Sequence, residues 1–239
     1  MERRVSDATK EAAGRAAVDA QVKSGMKLGL GTGSTAVHAV RRVGELLANG
    51  GLKDISAFAT SFQTEIECEK LGIPFYPLNS RELSGGLDLT IDGADEVDPR
   101  NRLIKGGGGA MLVEKLAAYA SSAFAVAVDE SKIVAAMGAG FPVPVEVVPA
   151  ARVSAAKAIE ALGGKAALRE ALRKAGPVIT EHGNLILDVL FPAPVDPEAM
   201  ELKINLIPGV VENGFFTRIV PVVYIGRLDG TVEARAFSS

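Results

Sequence analysis

Tryptophan is absent from the 239-residue chain, cysteine occurs once and histidine twice. A single cysteine, Cys68, excludes an intrachain disulfide and a zinc site built from clustered cysteines, and it fits a reducing compartment as an inert thiol. His38 falls in a helical stretch and His182 in a turn, neither with a serine or cysteine arranged as a hydrolytic triad requires, so both are read as structural. Long apolar runs are missing too: the first twenty residues carry charges throughout, which argues against a secretory signal or a membrane span and makes the cytoplasm the expected location. Nor does charge of one sign dominate, since 26 basic and 29 acidic residues leave a net charge of −3. A nucleic-acid binder would favour a basic surface, and no aromatic-rich basic segment occurs.

What the chain does have is apolar residues, at 48%, and 26 glycines, enough for a large core in one domain or one domain with a small satellite. Thr9 to Val22 reads as an Ala-rich amphipathic helix, Met26 to Leu30 as a buried strand and Ser34 to Leu47 as a helix. Strands follow at Ile55 to Thr60, Leu87 to Ile91 and Ala123 to Val128, with helices at Gln63 to Leu71 and Ala110 to Ala120. This alternation predicts an α/β fold, an open and mostly parallel Rossmann-like sheet with helices on both faces. Ligands of such sheets gather at the strands' carboxyl ends.

From about Gly138 the texture changes. Prolines 142, 144 and 149 flank the apolar Val143 to Val148, a helix runs from about Ala150 to Leu162, and Val178–Thr180 with Leu185–Val189 reads as a hairpin around Glu181-His182-Gly183-Asn184. A short helix over Pro197 to Leu206 completes a strand, helix, hairpin, helix, strand order, which is a ferredoxin-like α+β pattern. Residues 138–208 are therefore expected to form a smaller α+β domain, with 1–137 and 209–239 forming the catalytic α/β domain, closed by strands at Val220 to Ile225 and Thr231 to Phe237.

Two segments carry chemistry. Gly29, Gly31 and Gly33 follow a strand, but the third glycine of a dinucleotide fingerprint should lie three positions after the second, and the next strand ends without its acidic residue. The hydroxyls of Thr32, Ser34 and Thr35 around Gly33 instead suit a phosphate monoester at a helix start, where free N–H groups and the helix dipole favour an anion. The second segment runs from Asp92 to Glu114: Asp92-Gly93-Ala94-Asp95, then Lys105 before Gly106, Gly107, Gly108 and Gly109, then Glu114. Carboxylates at a strand end can move protons, a lysine can hold an anion, and glycines admit a substrate to bare backbone N–H groups. Glu96 and Asp98 make the turn more acidic, but the calcium-loop spacing is absent and no His or Cys is near, so no metal is expected. Taken together, the segments point to proton transfer on a small phosphorylated molecule.

Four motifs in order, GLGTGSTA, TIDGADEVDP, LIKGGGGAMLVEK and VDESK, resemble ribose-5-phosphate isomerases of the A type, and NLIPGVVENGFF extends the resemblance toward the end of the chain. The resemblance implies interconversion of D-ribose 5-phosphate and D-ribulose 5-phosphate through an enediolate, in the non-oxidative pentose phosphate pathway, with no metal or organic cofactor. It assigns Glu114 as the base, with apolar neighbours that raise its pKa and a helix start that lowers it. It assigns Lys105 to the developing oxyanion and Asp92 and Asp95 to the sugar hydroxyls, Asp92 being the candidate for ring opening. Thr32, Gly33, Ser34, Thr35 and Lys132 are implied for the phosphate, with Lys10 a weaker candidate, and Gly93, Ala94, Gly106, Gly107 and Gly108 line the substrate. A homodimer or homotetramer is implied, with neither nucleic-acid nor membrane partners. Glu181-His182-Gly183-Asn184 departs from the Asp-Asn-Gly-Asn turn of many relatives, which bears on hairpin geometry more than on catalysis. Two other classes stay open on the residues alone: a sugar-phosphate sensor, which binds without turnover, and an amino-sugar phosphate deaminase or lactonase, for which ring-opening histidines would be expected.

Overall fold

Short apolar strands alternate with helices to give α1 (Glu2–Gln21), β1 (Lys27–Leu30), α2 (Ala36–Ala48), β2 (Ser56–Ala59), α3 (Phe62–Leu71), β3 (Leu87–Asp92), β4 (Glu96–Val97), β5 (Leu103–Ile104), α4 (Met111–Tyr119) and β6 (Ser121–Asp129). There follow β7 (Val143–Val147), α5 (Arg152–Ala161), β8 (Lys165–Leu168), β9 (Leu185–Leu190), α6 (Pro197–Asn205), β10 (Val210–Asn213), β11 (Phe215–Phe216), β12 (Val222–Gly226) and β13 (Val232–Arg235). The computed structural model describes residues 2–237, with side chains from residue 7 onward. Packing gathers the chain into two units. The first comprises residues up to Ala94, Val113–Ile133 and those from Ile219 on; the second comprises Asp95–Leu112 and Val134–Arg218. The second unit thus takes in more of the chain than the 138–208 segment that composition suggests.

In the first unit six strands form one sheet in the order β13-β12-β6-β3-β1-β2, parallel throughout except for β13, which pairs antiparallel with β12. Leu28 and Leu30 of β1 lie opposite Leu89 and Ile91 of β3. Together with Ala17 and Val18 of α1, Val40 and Val43 of α2 and Cys68 of α3 they form the main core. Leu83, Leu87 and Ala117 of α4 form a smaller cluster with Phe58. Helix α3 begins where the Ser61 hydroxyl accepts from the Thr64 N–H at 3.3 Å and stops at Gly72, whose φ of 66° is the left-handed conformation that favours glycine. Strand β1 has β2 on one side and β3 on the other, so the chain's winding reverses between β1 and β3. In open sheets of this kind such a reversal is where ligands bind, at the strands' carboxyl ends.

The second unit contains the order β7-α5-β8-β9-α6-β10, and its antiparallel sheet runs β10-β7-β9-β8. This is the ferredoxin-like pattern. Its core draws on Val143, Val145, Val147, Leu187 and Val189 from the sheet with Ile159 and Ile204 from the helices. One expectation needs correction: the hairpin partner of β9 is β8, with Ala166 opposite Val189, whereas Val178–Thr180 makes only an isolated bridge from Ile179 to Leu185. Backbone bonds from Val178 N–H to the Arg169 carbonyl and from Thr180 N–H to the Asn184 carbonyl, each at 2.9 Å, hold that segment, together with the Thr180 hydroxyl, which donates to Glu146 at 2.9 Å and accepts from the Asn184 N–H at 3.1 Å. The sequence of β8, Lys-Ala-Ala-Leu, has little β-propensity, and its place is decided by pairing with β9. A three-stranded sheet of β11, β5 and β4 also belongs to this unit. Among the described residues no helix is long and apolar enough to cross a membrane.

Candidate active site

In the first unit, the sheet's carboxyl edge collects the turns after β1, β2, β3 and β6, because parallel strands all end on the same side. The Gly31 N–H extends the β1–β3 ladder by donating to the Ile91 carbonyl at 2.9 Å, and this brings the turn after β1 against Asp92, the last residue of β3. Oδ1 of Asp92 accepts from the Thr32 N–H at 3.1 Å and from the Gly93 N–H at 2.7 Å. Only glycine fits at position 31: a Cβ there would lie 2.1 Å from Asp92 Oδ1 and 2.6 Å from Asp92 Cα. Asp92 itself is fully buried. A buried carboxylate bonded to backbone N–H groups is well placed to present a fixed acceptor to a ligand.

Helix α2 starts at Ala36, two residues later than the pattern predicts, which leaves Ser34 and Thr35 in the turn. Thr35 makes no side-chain cap, Ser34 is exposed, and Gly33 has a φ of +105° with open space where its Cβ would be. The N-terminal end of this 13-residue helix therefore faces outward through a turn of small residues, as an anion cradle requires. Lys10 of α1 reaches the same turn, its Nζ donating to Ser34 Oγ at 3.2 Å. A Cβ on Gly93 would lie 3.8 Å from the Thr35 Cβ, so the turn after β3 runs beside the turn after β1. Thr32 behaves differently from its neighbours: its hydroxyl lies 2.7 Å from the hydroxyls of both Thr60 and Ser61, and the Thr64 hydroxyl donates to the Gly31 carbonyl at 2.8 Å. This cluster ties the turn after β1 to the turn between β2 and α3.

Lys132 ends a short helical turn after β6, capped by Asp129, which accepts from the Ser131 N–H at 3.0 Å. Glu114 lies in the first turn of α4 and is 5% exposed, so it does not decorate a solvated helix end. Lys115 beside it is buried as well. His38 is buried in α2 with Nε2 3.5 Å from Asp7, and it has no nucleophile to activate among these contacts.

Asp95 and the loop from Lys105 to Gly109 belong to the second unit. The Asp95 N–H donates to the Ile104 carbonyl at 2.8 Å, and its Oδ2 accepts from the Gly107 N–H at 2.8 Å. Lys105 is 2% exposed; its N–H donates to the Gly214 carbonyl at 2.9 Å and its Nζ stands 5.8 Å from the centre of the Phe216 ring. The glycine run turns at Gly106, with φ +104°, and closes where the Gly109 N–H donates to the Gly106 carbonyl at 2.9 Å. Arg169 donates from Nη1 to the Gly106 and Gly107 carbonyls at 2.9 and 3.1 Å. Glu96 accepts from the Gly138 N–H at 2.9 Å, and Asp98 holds Arg102 at 2.7 Å, so these acids serve local structure. Among the described residues no group of three or more His, Cys, Asp or Glu side chains could hold a metal ion.

Three features of these surroundings left no mark in the sequence pattern. Thr60, Ser61 and Thr64 reach Thr32 only because β1 and β2 are neighbours. Arg169 lies more than 60 residues from the glycines it touches. The bond from Lys10, already a candidate, to Ser34 crosses between α1 and the turn after β1, a pairing that sequence spacing does not show.

Comparison with known proteins gives consistent matches. Residues 56–230 match the family model of ribose 5-phosphate isomerase A (phosphoriboisomerase A). A ribose-5-phosphate isomerase A of Treponema denticola is 56% identical over 217 residues, covering 90% of this chain and 91% of that protein. One from Synechococcus sp. strain WH7803 is 49% identical over 226 residues, covering 94% and 93%. Among solved structures, a D-ribose-5-phosphate isomerase in complex with phospho-erythronic acid superposes with a TM-score of 0.90 at 39% identity, covering 95% of this chain and 97% of that one. Ribose 5-phosphate isomerase A from Methanocaldococcus jannaschii gives 0.88 at 41%, covering 95% and 97%.

Proposed function

The chain belongs to the ribose 5-phosphate isomerase A family, and from that premise we propose how its residues share the reaction. The protein is an isomerase that interconverts D-ribose 5-phosphate and D-ribulose 5-phosphate, a small sugar phosphate in each direction. Turning the aldose into the ketose moves a proton from C2 to C1, so a base must serve both carbons while the oxygens carry negative charge in an enediolate. Glu114 is the base in this proposal. Lys105 supplies the ammonium that stabilises the enediolate oxygens, a role its near-complete burial supports because a charge acts more strongly away from water.

The phosphate is assigned to Gly33, Ser34 and Thr35 at the start of α2, neutralised by Lys132 and by Lys10, whose bond to Ser34 supports its inclusion. Thr32 tethers the cradle to Asp92 through its N–H. Asp92 and Asp95 hold sugar hydroxyls, with Asp92 assisting ring opening, and Gly93, Ala94, Gly106, Gly107 and Gly108 admit the chain of the sugar to backbone groups. The observation that carries this reading is the Thr32–Asp92 hydrogen bond where β1 and β3 end, which sets the hydroxyl-rich turn after β1 beside a buried carboxylate within one unit. The proposal needs no metal or organic cofactor. It includes a homodimer or homotetramer acting in the cytoplasm within the non-oxidative pentose phosphate pathway, and sedimentation velocity of the purified protein checks the assembly.

The test of the mechanism is incubation of EDTA-treated protein with ribose 5-phosphate in D₂O. Ketose should form at the untreated rate, with deuterium at the migrating carbon to the extent that the captured proton exchanges. A rate that vanished with chelator and returned with a divalent cation would overturn the cofactor-free mechanism. Binding of ribose 5-phosphate without any turnover would favour a sensor over an enzyme.

A further inference from the structure

We propose that Arg169, held by Asp188, is a positioning residue for the Lys105–Gly109 turn; the inference rests on the isomerase reading and concerns how that turn is kept in its working shape. Arg169 follows β8, and its backbone is fixed on both sides: its N–H donates to the Ile186 carbonyl and its carbonyl accepts from the Val178 N–H, each at 2.9 Å. Its guanidinium makes a bidentate pair with Asp188 of β9, Nε to Oδ2 at 2.9 Å and Nη2 to Oδ1 at 2.5 Å. Both side chains are largely buried, at 14% and 24% exposed. The planar fork of an arginine, once pinned at one edge by a carboxylate, has its remaining N–H groups aimed in a set direction. Here they meet the carbonyls of Gly106 and Gly107 at 2.9 and 3.1 Å.

The consequence follows from peptide geometry. In a trans peptide the N–H points opposite to the C=O of the same unit. With the Gly106 and Gly107 carbonyls turned toward Arg169, the N–H groups of Gly107 and Gly108 are turned away from it. The first of these meets Asp95 Oδ2 at 2.8 Å. A run of four glycines has the widest backbone freedom of any sequence, and without side chains it cannot fix its own peptide planes. The clamp supplies what the run lacks: two carbonyls held on one side, N–H groups presented on the other, and Lys105 at the fixed entry to the turn. A lysine could reach one carbonyl but could not hold Asp188 bidentately at the same time.

The test uses the full-length protein and ribose 5-phosphate, with kcat, KM, circular dichroism and thermal unfolding measured for Arg169→Ala, Arg169→Lys and Asp188→Asn. Displacing the turn by about 1 Å misplaces groups used in proton transfer, so Arg169→Ala should lower kcat at least tenfold, with KM changed less than threefold and the fold retained. Arg169→Lys should recover part of the loss, and millimolar ethylguanidinium should raise the kcat of Arg169→Ala saturably while leaving wild type unchanged. A folded Arg169→Ala with kcat within threefold of wild type would overturn the inference, as would a loss that merely tracks the unfolded fraction. Should the alanine variant fail to fold, Asp188→Asn decides: a kcat reduced threefold or more in a folded protein supports the clamp, and an unchanged kcat removes it. Wild type that forms no ketose overturns the isomerase reading itself, whereas an active wild type with unimpaired variants overturns only the clamp.

Discussion

Replacing Gly31 with alanine tests the geometry at the centre of the first unit. A Cβ at this position would lie 2.2 Å from the Asp92 Cγ, 2.1 Å from its Oδ1 and 2.6 Å from its Cα. Relief to the ~3.5 Å of ordinary carbon contact requires a shift of about 1 Å or more, and the short approach to Cα means that side-chain rotation alone cannot provide it. Strand β3 or the turn after β1 must move, and with either the Thr32–Asp92 hydrogen bond of 3.1 Å is lost or lengthened. Overpacking of this kind costs about 1–3 kcal/mol, or roughly 2–12 °C in Tm for a chain of this size. Misplacing Asp92 by about 1 Å should cost on the order of a hundredfold in kcat. Gly29→Ala is the comparison: its Cβ would meet Thr90 Oγ1 at 2.0 Å, Thr90 Cβ at 3.0 Å and Leu87 Cδ1 at 3.2 Å, all side-chain atoms of β3 rather than its backbone, and the position is two residues from the turn. The expected result is a loss of stability for both variants and a large loss of kcat for Gly31→Ala alone, read by ketose formation and by thermal unfolding. If Gly31→Ala kept wild-type kcat and Tm, the contact between β1 and Asp92 that underlies the proposed site would be wrong.

Glu114→Gln should still bind ribose 5-phosphate, measured by calorimetry, while turnover falls about a hundredfold or more, the scale of a positioned base; near-normal turnover removes Glu114 from that role. Lys10→Ala and Ser34→Ala should each raise KM more than they lower kcat, because both residues meet at the cradle, and ribose without its phosphate should be a poor substrate for the wild type. Burial, reinforced by the charges of Glu65 and Glu67, pushes the Cys68 thiol up to about 12. A thiol reagent at pH 8 should therefore leave native protein unlabelled and react once denaturant is added. The folded pKa lies above the unfolded one, so the thiol's contribution to stability is complete below about pH 9 and is lost as pH rises through about 12, a decline that Cys68→Ala should lack.

The parallel sheet was legible in the sequence because its strands are buried on both faces and stand out as short apolar runs between helical stretches, as at Leu28–Leu30 and Ala125–Val128. The ferredoxin-like order was legible for a similar reason. Its hairpin was misassigned because Val178-Ile-Thr has the better β-propensity and Lys165–Leu168 the better partner, and pairing outweighs propensity. Strands of two residues, such as β4, β5 and β11, are too short to carry any periodic signal.

By itself the sequence determined the chemistry on offer: which segments end in hydroxyls, carboxylates and glycines is a local matter, set by residue type and spacing. Tertiary structure decided what those groups touch. Asp92 meets Thr32 because two strands 60 residues apart are neighbours in a sheet; Lys105 is buried although the glycines after it gave no sign of it; Arg169 finds the glycine turn although more than 60 residues separate them. Each of these is a contact between distant parts of the chain, and such contacts depend on how the whole chain packs, which spacing along the sequence does not encode.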